Sequence, residues 1–172
     1  MSSKIAKAEN AISQSRIVEI LEEYSPQIIS TILVEFDTDQ SDIDVVCEYH
    51  QQSAFVSAIS NSFQNYESYS LNVYAERVIG RFKVASFLFE VYGTSIPVTQ
   101  QLAYRHYQVM QRLARLGGAP IKQKIRFLKR SGLKTEPAIS QILGLKGDPY
   151  NAVLELESWT NTQLKSHVQN CI

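Results

Sequence analysis

Apolar and polar positions along this chain change period several times, and each change predicts an element. Ile12, Ile17, Ile20, Leu21 and Tyr24 recur at helical spacing, so a helix is expected from about Ala8 to Glu23. Pro26 ends it, because the residue before a proline is pushed out of the helical region. The β-branched, apolar run Ile28 to Phe36 predicts a strand, and Asp37 to Ser41 a turn. Ile43 to Tyr49 reads as a second strand, forming a hairpin with the first. Phe55, Ile59 and Phe63 stand four apart and predict a helix from Gln51 to Asn65. Two further strands are expected, Ser68 to Ala75 and Phe82 to Tyr92, with a turn around Gly80.

Beyond Val98 the pattern turns helical. Leu102, His106, Val109, Leu113 and Leu116 form a stripe that Gly117-Gly118 ends. Pro120 suits a first helical turn and opens a basic helix to Ser131, which Gly132 stops. Thr135 is expected to cap a short helix to Leu143, ended by Gly144, and a last helix is expected from Asn151 to Val168. The chain thus reads as α+β: a mixed sheet flanked by helices, followed by a helical C-terminal half. The domain expectation is an α/β core over 1–97 and a helical subdomain over 98–172.

Composition adds little, but charge adds something. With 172 residues and 44% apolar content, the chain can bury a core without a disulfide or metal staple. Cys47 and Cys171 have neither metal-ligand nor redox spacing and read as two unrelated thiols. No apolar run approaches the ~20 residues of a membrane span, and no signal peptide is legible, so a cytoplasmic protein is expected. Net charge is zero, yet up to Gln100 acids outnumber bases thirteen to six, and from Gln101 to Lys146 ten Lys and Arg face one acid. An acidic half joined to a basic half suits a site that holds a cation beside a phosphate.

The candidate chemistry starts at Asp42-Ile43-Asp44. Carboxylates two positions apart on a strand project to the same face, while Ile43 and Val45 go to the core. Two acids so close repel unless a cation lies between them. Mg²⁺ takes one or two carboxylates and leaves the rest of its shell to phosphates and water. A third acid on a neighbouring strand would complete a two-metal site for in-line displacement at phosphorus. Glu90, alone in the apolar run Phe87 to Tyr92, is the candidate. On the basic side, Gln101 and Arg105 share a helix face, and Arg105 can pair with a carboxylate or reach a phosphate. Lys134 and Thr135 sit at an expected helix start, where free backbone N–H groups favour an anion. Glu136 is either a first-turn acid or a partner for Arg105, and His106 reads as a hydrogen-bonded core residue. A glycine-rich phosphate loop with lysine, a Cys/His metal set, a Gly-x-Ser-x-Gly elbow and a base-stacking sheet motif are all missing from the sequence.

Ser30-Thr31, a ten-residue spacer and Ser41-Asp42-Ile43-Asp44-Val45-Val46 resemble the pattern of the nucleotidyltransferase superfamily. There a Gly-Ser or Gly-Thr pair precedes an Asp-x-Asp strand. The resemblance implies that Ser30, Thr31 and Ser41 face the triphosphate of an NTP and that Asp42 and Asp44 hold one or two Mg²⁺ ions. The block from Ser41 to Glu48 is also similar to a bacterial family called domain of unknown function 4269, a branch of that superfamily. Gln101 to His106, Gly132 to Ala138 and Leu143 to Tyr150 extend the similarity. The resemblance implies transfer of a nucleotidyl group from an NTP to a hydroxyl on a small molecule, protein or RNA. The alternative is a degenerate transferase fold that binds a nucleotide or protein without turnover. Ser30 stands where the pattern has glycine, and Leu33 and Glu35 replace small residues in the turn that follows. Glycine there would allow positive φ and a close backbone approach to phosphate.

Overall fold

The computed structural model describes residues 3–172 and divides them into two compact units. The first comprises the described residues up to Leu33 together with Asp42–Tyr104, the second Val34–Ser41 and Arg105–Ile172.

In the first unit, helix α1 (Lys4–Ser15) starts four residues earlier than the periodicity suggests, because Ser3 caps it by accepting from the Ala6 N–H. It also stops earlier. Arg16 takes the left-handed conformation (φ 51°), and a short helix α2 (Ile17–Ile20) and a 3₁₀ turn follow instead of one continuous helix. The break leaves no polar group stranded: the buried Ser15 hydroxyl donates to the Ile12 carbonyl and accepts from the Ile17 N–H.

The sheet has five strands in the order β1-β2-β5-β4-β3: β1 (Gln27–Ile28), β2 (Ile43–Glu48), β3 (Glu67–Val73), β4 (Arg77–Val84) and β5 (Phe87–Thr94). It is mixed, with β2 and β5 parallel and every other pair antiparallel. The expected strand over Ile28–Phe36 is reduced to the two residues of β1. The Ser30 hydroxyl donates to the Asp42 carbonyl and accepts from the Ile32 N–H, and this folds residues 31–35 into turns. Gly80, expected in a turn, lies inside β4. A Cβ there would come within 3.0 Å of Ile59 Cγ2, so the glycine lets α3 (Gln52–Phe63) lie close on the sheet.

One face of the sheet is the core. Ile43, Val45 and Cys47 of β2, Phe87, Phe89 and Val91 of β5, and Val78, Phe82 and Val84 of β4 cluster with Ala8, Ala11, Ile17 and Leu21 and with Phe55, Ile59 and Phe63 of α3. Phe63 stacks on Phe82 at 4.2 Å between ring centroids, and Phe82 on Phe89 at 5.3 Å. Burial pushes the Cys47 thiol up to about 12. Cys47 and Cys171 are both free thiols.

The second unit is helical apart from its segment 34–41. Helix α4 (Leu102–Arg130) enters it at Arg105 and is interrupted at Gly118, whose φ of 57° and ψ of −149° only glycine adopts readily, with Pro120 just beyond. His106, Val109 and Leu113 of the expected stripe are buried, whereas Leu102 is 59% exposed. Helix α5 (Thr135–Leu143) ends at Gly144 as expected, but Lys134 holds its N-cap position and Thr135 is its first helical residue. The single last helix is in fact two, α6 (Pro149–Glu155), capped by Asp148, and α7 (Asn161–Cys171), started by a capping box of Thr160 and Gln163. Arg112 stabilises the break between them by donating to the carbonyls of Leu156, Glu157 and Trp159. Among the described residues no helix is long and apolar enough to cross a membrane.

Candidate active site

The sheet's second face carries the acids. Ile43, Val45 and Cys47 of β2 are spent on the core, so Asp44, Val46 and Glu48 point the other way. Asp42 stands immediately ahead of the strand, two residues before Asp44. Both are half-buried, and the backbone around them is fixed: Ser30 Oγ donates to the Asp42 carbonyl at 2.8 Å, and the Ile29 N–H donates to the Asp44 carbonyl at 2.9 Å. Glu90 is the register partner of Asp44 on the adjacent parallel strand, and Arg81 is the register partner of Glu90 on the next. One row thus runs acid, acid, base across β2, β5 and β4. Arg81 closes on Glu90 with Nε 2.7 Å and Nη2 2.5 Å from Oε2.

This arrangement bears on the expected metal set. Asp42 and Asp44 are hard oxygen donors at alternate positions and fit one Mg²⁺ whose shell is completed by phosphate and water. Glu90 is level with Asp44 but is bound by Arg81. Among the described residues no three His, Cys, Asp or Glu side chains gather to hold a metal. By donor chemistry two carboxylates suit one such ion, and among the described residues a three-carboxylate cage is not formed.

Four of the other candidates, Ser30, Ser41, Gln101 and Arg105, have hydrogen-bond partners within the fold. Ser30 is fully buried and does not take positive φ, so serine in place of glycine causes no backbone strain; its hydroxyl serves the turn. Ser30→Ala is expected to lower stability by about 1–2 kcal/mol, read by chemical denaturation, because the Asp42 carbonyl loses its donor. Thr31 follows in the turn, half-buried. Gln101 is buried, and its amide nitrogen donates to the carbonyls of Cys47 and Ile96, both at 2.9 Å. That leaves only its oxygen, an acceptor and unsuited to a phosphate.

The other candidates belong to the second unit. Ser41 closes a turn there by accepting from the Thr38 N–H at 2.9 Å. Arg105 forms a forked pair with Glu157, with Nη2 2.6 Å from Oε2, which raises the guanidinium above its ordinary range. Glu136 lies not against Arg105 but 3.8 Å from His106 Nδ1, while His106 Nε2 is 3.0 Å from the Tyr150 carbonyl, as a hydrogen-bonded core histidine should be. Lys134 is exposed at the start of α5, and Thr135 is buried. Glu35 takes positive φ (60°), and Lys122 pairs with its carboxylate.

Residues 10–156 match the family described as a domain of unknown function, DUF4269. The chain belongs to this family. No curated protein matches the sequence. In fold, this DUF4269 member is similar to the Cid1 poly(U) polymerase with bound MgGTP, at 15% identity and a TM-score of 0.58, over 89% of this chain and 49% of that one. It is similar to the GLD-2/RNP-8 complex structure at 13% identity and TM-score 0.54, over 81% of this chain and 53% of the other. The polymerase core of TRAMP, an RNA surveillance complex, matches at 12% identity and TM-score 0.54, over 99% of this chain and 58% of that one. The chain spans about half the length of these structures. At such identities the likeness establishes a nucleotidyltransferase-like fold.

Arg81 is the residue that sequence reasoning missed. With Gly80 read as a turn, Arg81 fell outside any strand and its cross-strand partner could not be inferred. Arg77, Arg81 and Lys83 alternate with the buried Val78, Phe82 and Val84, and this period of two was the available signal.

Proposed function

We propose that this chain transfers a nucleotidyl group from an NTP to an acceptor hydroxyl, with one Mg²⁺ held by Asp42 and Asp44. The observation that carries the reading is the placement of this alternate-residue acid pair beside the in-register Glu90 within a nucleotidyltransferase-like fold. It rests on residues of the first unit alone. Asp42 and Asp44 would orient the triphosphate through the shared ion, and the half-buried Thr31 is the hydroxyl we assign to phosphate contact. The ion, when bound, would neutralise charge on the phosphates and favour displacement at the α-phosphorus. The acceptor is a hydroxyl on a small molecule, protein or RNA, and a cytoplasmic setting suits the two free thiols. Structures similar in fold include a poly(U) polymerase and an RNA terminal U-transferase, so an RNA 3′ end belongs first in any acceptor panel.

A second reading, a nucleotide-binding module without turnover, is favoured by one observation: the third acid, Glu90, is held by Arg81. Incubation with each α-³²P-labelled NTP, Mg²⁺ and an acceptor panel separates the two. Label moving to an acceptor supports transfer; tight Mg²⁺-dependent NTP binding with no label transfer or pyrophosphate release across the panel supports the module.

A further inference from the structure

The row Asp44, Glu90, Arg81 crosses three adjacent strands, and Glu90 stands between an acid and a base. Two forces compete for its carboxylate. A cation on Asp42 and Asp44 would draw it toward β2, and Arg81 draws it toward β4. In this structure Arg81 has it, through two N–H donors on one oxygen, with both side chains half-buried (38% and 28% exposed). The neighbouring base on the same strand, Lys83, is engaged elsewhere, 2.8 Å from Glu67. Arg81 thus offsets the charge of Glu90, and its two donors on one carboxylate oxygen set the resting position of that side chain toward β4.

We propose that Arg81 is a positioning residue that withholds Glu90 from the metal. With Arg81 in place the site binds an ion on Asp42 and Asp44, and Glu90 becomes a ligand only when its pair with Arg81 is broken. The inference rests on the Asp42/Asp44 metal reading above.

The test is a double-mutant cycle on the affinity of the full chain for Mn²⁺, read by calorimetry without nucleotide. Removing Arg81 as R81M takes away a nearby positive charge and releases a donor, so Mn²⁺ is expected to bind about tenfold tighter. The decisive quantity is the effect of E90Q in each background. If Arg81 withholds Glu90, E90Q weakens Mn²⁺ binding at least about tenfold more in R81M than in the wild type. Equal losses in the two backgrounds would overturn the proposal, whether large (Glu90 is already a ligand) or small (it never becomes one). Should R81M not fold by circular dichroism, R81K keeps the charge but loses the fork, and the same comparison applies. The underlying metal reading has its own arm, D42A/D44A in the R81M background. If Mn²⁺ binding survives there while the Arg81–Glu90 coupling holds, the ion is not on Asp42 and Asp44. If no variant binds Mn²⁺, both ideas fall.

Discussion

Asp44→Asn is expected to reduce nucleotidyl transfer by about a thousandfold or more while leaving the protein folded. The substitution keeps shape and backbone, so the Ile29 N–H still finds the residue-44 carbonyl, and β1 stays paired to β2. What it removes is one of the two carboxylates proposed to hold the ion. Metal stabilisation of the developing charge is worth several kcal/mol, and each 1.36 kcal/mol is a factor of ten in rate. Pyrophosphate release with the productive acceptor measures the effect, and an unchanged circular dichroism spectrum shows that the loss is chemical. A loss below about tenfold would remove Asp44 from the metal site.

The second large effect concerns stability. Phe82→Ala is expected to cost about 3–5 kcal/mol, measured by urea denaturation, because Phe82 is the middle ring of a three-ring stack. It is fully buried, with Phe63 of α3 on one side and Phe89 of β5 on the other. In the two strands around it, Arg81 precedes Phe82, and Glu90 follows Phe89. A cavity there loosens the same two strands whose register brings Arg81 to Glu90. A cost under about 1 kcal/mol would mean that the stack does not hold the sheet to α3.

The alternation in Ile43 to Glu48 was legible because it is a local property of one strand. The same holds for Phe55, Ile59 and Phe63, whose four-residue spacing maps onto one buried helix face. The segment Ile28 to Phe36 was not legible, and the reason is physical. Its apolar residues Ile32, Val34 and Phe36 are indeed buried, but by tertiary packing rather than a ladder, since the Ser30 hydroxyl captures the turn. Gly80 misled because glycine's usual role in turns outweighed its other role, admitting a helix close to a strand. The split between α6 and α7 had a readable sign in Thr160-x-x-Gln163, a capping-box pattern inside an apparently continuous helix. In the site, the acids of one strand could be paired from sequence. Which base faces Glu90 depends on strand order and register, which are non-local. For the same reason Gln101 and Arg105, four apart on paper, have unrelated partners: the carbonyls of Cys47 and Ile96 for one, and the carboxylate of Glu157 for the other.

Asp42 and Asp44 are proposed to form a Mg²⁺-dependent nucleotide site. Calorimetric titration of each NTP into the full chain, with Mg²⁺ and with EDTA, tests it most directly. Saturable binding of at least one NTP that requires Mg²⁺ and disappears in D42A/D44A is expected. Absence of binding at millimolar NTP, or binding indifferent to both the metal and the two aspartates, would contradict it.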